Sequence, residues 1–398
     1  NGKTTTTRLI AHIARQAYDT VGFTTTDGIY IGDHLIEKGD TTGPQSAQMI
    51  LQDPTVEMAV LETARGGILR SGLAFRHCDV GVVLNVAADH LGLGDIDTID
   101  QMARVKGVIA EAVHADGYAI LNADDKRVAA MAARVIGKVA YFSMDAANPL
   151  VQDHVRNGGI AAVYDNGYIV ILQQDWVHRV EKAERAPLTL GGRAPFMIAN
   201  ALAASLAAFV QGIKVEQIRA ALRSFEASAQ QTPGRMNLFN LGRYHVLVDY
   251  AHNPAGYEAV GGFVQNWAGP TIGVVGGPGD RRDEDLIGLG QLAATFFSEI
   301  IVKEDDDGRG RPTGSAANLI VQGISQAESS VPYSVQLDET EAIEWALNHA
   351  PENALVVIFP EQVNRAIELI KVRNPLPETA ALELPTDPSS RKTLSVGS

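Results

Sequence analysis

The sequence predicts an α/β protein of two domains, each a mostly parallel sheet covered by helices. Three observations carry this. Short apolar runs such as "EMAVLET" (57–63), "DVGVVLNV" (79–86) and "HVLVDY" (245–250) alternate with amphipathic stretches, the pattern of parallel strands buried on both faces. The rhythm breaks at the polar stretch "ASAQQTPGRMN" (227–237), which holds Pro233 and Gly234, and then restarts. At 398 residues the chain is long enough for two or three domains with ample cores.

Taken in order, the chain opens "NGKTTTTRLIAHIA". Gly2, Lys3 and Thr4 are the second half of the pattern G-x-x-x-x-G-K-[ST], in which the backbone and lysine cradle phosphates and the hydroxyl holds Mg²⁺. Leu9, Ile10, Ile13, Ala14 and Ala17 then fall at helical spacing, so a helix N-terminus would face an anion. An ordinary helix start capped by threonine is the other reading of the same residues. Strands follow at 57–63, 79–86, 118–122 and 138–143, with helices at 98–114 and 124–134. "GGIAAVYDNGYIVIL" (158–172) reads as a hairpin turning at "DNG". Helices are expected at 196–212 and about 215–226. After the break, strands are expected at 245–250, 271–277, 299–304 and 354–360. These form a smaller domain over 231–373, following a first domain over 1–230. Residues 374–398 are rich in Pro and Ser and read as a disordered tail.

Composition excludes several classes of function. The net charge of −14 argues against a general nucleic-acid surface, which needs basic patches. No apolar run reaches the about 18 residues that a membrane span requires, and a cytoplasmic location is expected. The lone Cys78 excludes an internal disulfide and a cysteine-rich zinc site. It precedes an apolar run, where a buried structural thiol is expected rather than a nucleophile.

Further candidates sit at strand ends, where open α/β sheets bind ligands. Glu62 ends one strand and can complete a Mg²⁺ shell begun by Thr4, or can be a solvated carboxylate. "LNVAADHLG" (84–92) places Asn85, Asp89 and His90 at the next, with His90 a candidate metal ligand. "DYAHNPAGYEAV" (249–260) supplies Asp249, His252 and Asn253, and Pro254 starts a helix. "VVGGPGDRRDED" (274–285) is a Gly-rich turn carrying Asp280, Arg281 and Arg282. The run "KEDDDGRGRP" (303–312) is either a solvated, salt-bridged loop, given Arg309 and Arg311, or an anionic pocket for a guanidinium or ammonium group.

The order of these pieces, from Asn-Gly-Lys-Thr-Thr-Thr through Glu62, "NVAADHLG", Lys106, "LNADD" (121–125), "NALAA" (200–204) and "PGR" (233–235) to "DYAHNP" (249–254), resembles the Mur ligase superfamily, which includes the folylpolyglutamate synthetases. The resemblance covers about residues 1–373. Within the superfamily, "LETARGGILRSGLAFRHCDVGVVLNVAADHLGLGDIDTIDQMARVKG", "QQTPGRMNLFNLGRYHVLVDYAHNPAGYEAV" and "KEDDDGRGRPTGSAANLIVQGI" are similar to the C-terminal, Mur-ligase-like half of the cyanophycin synthetases. The chain is then expected to be a fragment that begins inside its phosphate loop, with an ATP-grasp module upstream in the same polypeptide.

The resemblance implies a P-loop ATPase domain with a mostly parallel sheet, followed by a smaller Rossmann-like C-terminal domain. It also implies ATP and Mg²⁺ as cofactors, and transfer of arginine onto the poly-aspartate backbone of cyanophycin. In that reading Gly2, Lys3, Thr4 and Thr5 hold the phosphates, and Thr4 and Glu62 bind one Mg²⁺ while His90 binds a second. Lys106 stands where many relatives carry a carbamylated lysine. Asn200 would meet the adenine, and Arg235 and Asp249 would contact phosphate and ribose. His252 and Asn253 would line the domain junction, and Asp305, Asp306 or Asp307 would select the guanidinium of arginine. A homo-oligomer is expected. The alternatives are another Mur-type ligase acting on a peptidoglycan precursor or folate, a nucleotide-dependent switch, and an inert nucleotide-binding fragment.

Overall fold

Residues 1–87, 96–373 and 375–376 are described by a computed structural model, in which the chain separates at Glu226 and Ala227 into two units. His90, Asp89 and nearly all of the 374–398 tail lie outside the described residues.

The first unit holds strands β1 (Val21–Thr25), β2 (Gly28–Ile31), β3 (His34–Lys38), β4 (Met58–Leu61), β5 (Cys78–Val83), β6 (Val113–Asn122), β7 (Lys138–Ser143), β8 (Ile160–Asp165), β9 (Tyr168–Gln173) and β10 (Trp176–Lys182). Its helices are α1 (Lys3–Ala14), α2 (Pro44–Gln52), α3 (Arg65–Ser71), α4 (Ile99–Glu111), α5 (Lys126–Ala129), α6 (Pro149–Arg156), α7 (Pro195–Val210) and α8 (Val215–Ser224). Among the described residues one sheet runs β3-β2-β1-β4, with β1 parallel to β4 and antiparallel to β2. A second runs β10-β9-β8-β7-β6-β5, parallel from β5 to β8 and antiparallel beyond.

Local chemistry accounts for these elements. The β8–β9 hairpin turns at Asn166 and Gly167, whose positive φ angles of 47° and 84° match the strand twist. Thr98 starts α4 with a reciprocal cap: its hydroxyl accepts the Gln101 N–H at 3.2 Å, and the Gln101 side chain accepts the Thr98 N–H at 2.9 Å. The Ala-rich α7 is buried from Met197 to Ala208 apart from the half-buried Ala199, with the polar Asn200 and Ser205 enclosed among the apolar residues. A helix apolar on nearly all sides belongs in an interior.

Several elements, among them α2, α3, α6 and β10, have no counterpart in the sequence reading, and two further stretches differ from it. Residues 21–38, which carry no assigned element, form the meander β1–β3; their threonines and short runs lack a buried-strand signature, and β3 is exposed throughout. The helix expected at 124–134 is one α-helical turn, α5, continued by a 3₁₀ segment Ala130–Arg134.

The second unit holds β11 (Asn237–Asn240), β12 (His245–Val248), β13 (Thr271–Val275), β14 (Glu299–Val302), β15 (Tyr333–Val335) and β16 (Leu355–Ile358). With them are α9 (Pro254–Val264), α10 (Asp283–Phe296), α11 (Ser315–Gln326), α12 (Glu339–His349) and α13 (Val363–Lys371). The sheet order is β11-β12-β16-β13-β14-β15, parallel except for the β11–β12 pair. Its core packs Val246, Val248, Val274, Ile301, Val356 and Ile358 with Ile343, Leu347, Ile367 and Ile370 from α12 and α13. The stretch 227–236 belongs to this unit because Asn237 binds it: its side-chain amide donates to the carbonyls of Ala227 at 3.0 Å and Thr232 at 2.9 Å. The architecture is the mixed α/β fold with mostly parallel sheets that the sequence predicts. Among the described residues no helix is long and apolar enough to cross a membrane.

Candidate functional site

In the first unit the carboxyl ends of β4 and β5 receive the start of α1. Gly2 caps the helix with φ +82°, a left-handed conformation that suits glycine. The Thr6 N–H bonds back to the Gly2 carbonyl at 2.9 Å, so the N–H groups of the first turn have no partner within the helix. Such donors, with the helix dipole behind them, attract an anion. Arg8 fixes the helix: it is buried, pairs with Asp27, donates to the Tyr30 hydroxyl at 2.9 Å and lies 4.8 Å above the Tyr30 ring. Thr5 is buried, and its backbone N–H is one of the first-turn donors.

Thr4 and Glu62 lie side by side. The Thr4 hydroxyl donates to Glu62 Oε1 at 3.2 Å, and Glu62 is only 4 % exposed. Thr26 joins them, its hydroxyl 3.2 Å from that of Thr4. A carboxylate beside two hydroxyls is a hard-oxygen set that fits Mg²⁺. Thr26 escaped the sequence reading; the only signal was a threonine run, "TTT", before a turn. Among the described residues no three His, Cys, Asp or Glu side chains converge on a common point.

The end of β5 is held from several sides. The Asn85 amide donates to the Asn1 carbonyl at 3.0 Å, and Lys106, on α4, donates to the Asn85 carbonyl at 3.0 Å. "LNADD" acts as a brace: Asn122 donates to the Leu84 carbonyl at 2.8 Å, and Asp125 accepts the Val86 N–H at 2.7 Å while capping α5. Asn200 sits against the loop from α7, its side-chain oxygen 2.4 Å from where a Cβ on Gly2 would lie. Cys78 is half-buried, and burial pushes its thiol up to about 11, which leaves it un-ionised and inert near neutral pH.

In the second unit Asp249 follows β12 and is 8 % exposed. It accepts the Met236 N–H at 2.9 Å; burial pushes its carboxyl up to about 6, opposed by the nearby Arg235 guanidinium. Arg235 lies 5.2 Å above the Tyr250 ring. The His252 ring lies 3.0 Å from the Tyr250 carbonyl, and Asn253 caps α9 by accepting the Gly256 N–H at 2.8 Å.

The charge run 303–312 is internally wired. Glu304 accepts the N–H groups of Gly314 at 2.6 Å and Ala316 at 2.9 Å, at the start of α11. Asp305 pairs with Lys303 at 2.7 Å, Asp306 with Arg365 at 2.7 Å, and Asp307 accepts the Arg309 N–H at 2.9 Å. Arg309 and Arg311 turn away from these aspartates to Asp280 and Asp283, each at 2.7 Å, so they belong to the Gly-rich turn rather than to the acidic run. Asp306 and Asp307 are exposed, whereas the Asp305 side chain is 9 % exposed.

Comparison with known proteins agrees with this architecture. The Mur ligase middle domain family matches residues 1–208, and the Mur ligase, glutamate ligase domain family matches residues 234–362. The cyanophycin synthetase of Nostoc sp. (strain PCC 7120 / SAG 25.82 / UTEX 2576) is 68% identical over 374 residues, 94% of this chain and 42% of the synthetase. The UDP-N-acetylmuramoyl-L-alanyl-D-glutamate--2,6-diaminopimelate ligase of Caldanaerobacter subterraneus subsp. tengcongensis is 26% identical over 365 residues, 90% of this chain and 70% of that ligase. Among solved structures, the bifunctional folylpolyglutamate synthase/dihydrofolate synthase complexed with AMPPNP and Mn ion from Yersinia pestis shares the fold. Its TM-score is 0.67 at 18% identity, covering 94% of this chain and 87% of that one. The chain thus spans about two fifths of the length of the synthetases it matches. With both family domains matched in order over most of its length, the chain belongs to the Mur ligase family.

Proposed function

We propose that this chain carries the ATP-dependent amide-ligase chemistry that adds arginine to a poly-aspartate backbone. The observation that carries the reading is the Thr4–Glu62 contact at the phosphate loop, in a chain 68% identical to a cyanophycin synthetase. A carboxylate is a poor electrophile at neutral pH and an acyl phosphate is a good one. The γ-phosphoryl group of ATP passes to the aspartate β-carboxylate and ADP departs. The arginine α-amine then attacks the carbonyl carbon, phosphate leaves, and the amine loses a proton to give the amide.

The residues divide this work by positioning and charge. Lys3 and the first-turn N–H groups, with Gly2 and Thr5, hold the phosphates. Thr4 and Glu62 would hold one Mg²⁺ and His90 a second, and the metal would neutralise charge on the transferring phosphoryl group. Lys106 supports this centre, as a carbamate or as an ammonium acting on phosphate. Asn200 meets the adenine, Arg235 and Asp249 meet phosphate and ribose, and His252 and Asn253 line the amine side. Asp306 and Asp307 pair with the guanidinium; their exposure supports this, while the enclosed Asp305 acts through Lys303. An ATP-grasp module upstream would extend the backbone, and the assembled enzyme would be a homo-oligomer.

The test is incorporation of labelled arginine into a synthetic poly-aspartate primer by the full-length gene product, with lysine, alanine, glutamate and diaminopimelate in parallel. Incorporation of arginine by the parent, and its loss in Lys3→Ala and His90→Ala, is expected. ATP turnover supported by a different amino acid would overturn the substrate while keeping the ligase.

A further inference from the structure

The second unit contains an ion cluster that the reaction scheme leaves unused. Lys303 directly follows β14 and is 1 % exposed, with its N–H donating to the Val275 carbonyl at 2.8 Å. Its ammonium lies 2.7 Å from Asp305 and 2.7 Å from Glu339, the first residue of α12, which is fully buried. Its stem runs over Gly276, where an added Cβ would come within 2.6 Å of it. Burial alone would push the Lys303 amine down; the two facing carboxylates outweigh it and hold the amine above its ordinary range, so it stays charged.

Glu339 extends the contact further. It accepts the Glu361 N–H at 2.5 Å and the Gln362 N–H at 3.2 Å, in the loop after β16, and lies 3.5 Å from Arg365 on α13. Arg365 binds Asp306 at 2.7 Å, and Glu361 accepts the Asp306 N–H at 2.6 Å. One buried ammonium therefore ties the loop after β14 to the loop after β16 and to the start of α12.

A buried ion pair adds little net stability over an apolar substitute, but removing one partner leaves an uncompensated charge. Without Lys303, Asp305 and Glu339 would face each other as two enclosed carboxylates. The segment following β14 would have to move to hydrate or separate them.

We propose that Lys303 is a positioning residue for the amine-donor side of the reaction: by clamping Asp305 and Glu339 it sets where Asp306 and Asp307 stand. The inference rests on the reading that these aspartates meet the guanidinium of the incoming amino acid. Lys303 itself does not touch substrate; its effect is on the shape of the loop that does.

The test uses Lys303→Met in the full-length gene product, with KM measured separately for arginine and ATP and hydrogen exchange followed across the chain. The expected result is an arginine KM raised by about tenfold or more, an ATP KM within about twofold, and faster exchange over 304–311 and 359–365 with β13 and β16 still protected. An unchanged arginine KM in a folded Lys303→Met protein would overturn the proposal, as would equal rises in both KM values, which mark a merely structural role. If Lys303→Met does not fold, Arg365→Met decides. It frees Asp306 from the cluster's outer face, and a raised arginine KM supports the clamp whereas an unchanged one rejects it. A parent enzyme that ignores arginine defeats the functional reading instead, and exchange in the variant still reports whether Lys303 holds the two loops.

Discussion

The side-chain oxygen of Asn200 lies where a Cβ on Gly2 would have to go, 2.4 Å from that position, although the two are far apart in sequence. The contact joins α7 to the phosphate loop and leaves room there for hydrogen alone. Gly2 is also left-handed at φ +82°, a conformation costly for any other residue.

Gly2→Ala is therefore expected to weaken binding of a non-hydrolysable ATP analogue by about 1–3 kcal/mol, read by calorimetry. Adding Asn200→Gly removes the clash and leaves the backbone strain, so the double variant should recover part of the loss if Asn200 contributes less to adenine binding than the clash costs.

Glu62→Gln keeps the shape of the Thr4 contact and removes the charge. Nucleotide affinity in the presence of Mg²⁺ should fall by at least about tenfold, while affinity in a chelator should change little. Equal losses in both conditions would place Glu62 in the scaffold rather than at the metal.

Asp249 carries a carboxyl pushed up to about 6 by burial. The folded chain keeps this proton to higher pH than the unfolded chain, so its contribution is full below about 3.8 and is lost as pH rises through about 6. At pH 8 Asp249→Asn should raise the stability of the nucleotide-free protein by on the order of 2–3 kcal/mol. The same variant should lose nucleotide affinity if the carboxylate meets the ribose. Denaturant midpoints and analogue titrations at pH 5 and pH 8 read both effects.

His245 behaves in the opposite sense. It is 8 % exposed on β12, stacks edge-on against Trp267 at 5.0 Å, and burial pushes its pKa below 6.5. The unfolded chain takes up the proton first on acidification, so stability is full above about 6.5 and falls as pH drops below it. His245→Phe should reduce that acid slope in thermal melts. His12 and His154, both held low by burial first, should keep the slope from vanishing.

The strands of the parallel sheets were legible because burial on both faces writes continuous apolar runs, as in "HVLVDY" and "ALVVIFP". The β1–β3 meander was not, since β3 is wholly exposed and the buried β1, Val-Gly-Phe-Thr-Thr, ends in two threonines, of which Thr25 is satisfied by Asp27 at 2.6 Å. At the candidate site, Thr4 and Glu62 stand out in the sequence because motif and strand-end position are both local signals. Thr26 and the Asn200–Gly2 approach arise only when distant segments fold together. In the charge run the residues were visible but their partners were not: nothing near Lys303 in sequence points to Glu339, and Arg309 and Arg311 chose Asp280 and Asp283 over the adjacent aspartates.

In the proposed reaction a carboxylate is activated by phosphoryl transfer before the amine attacks. The direct measurement uses a poly-aspartate primer whose side-chain carboxylates carry heavy oxygen, incubated with ATP, Mg²⁺ and arginine and the full-length gene product. Heavy oxygen should appear in the released inorganic phosphate in step with arginine incorporation, and should be lost in Lys3→Ala. Arginine incorporation with no label in the phosphate would contradict the account.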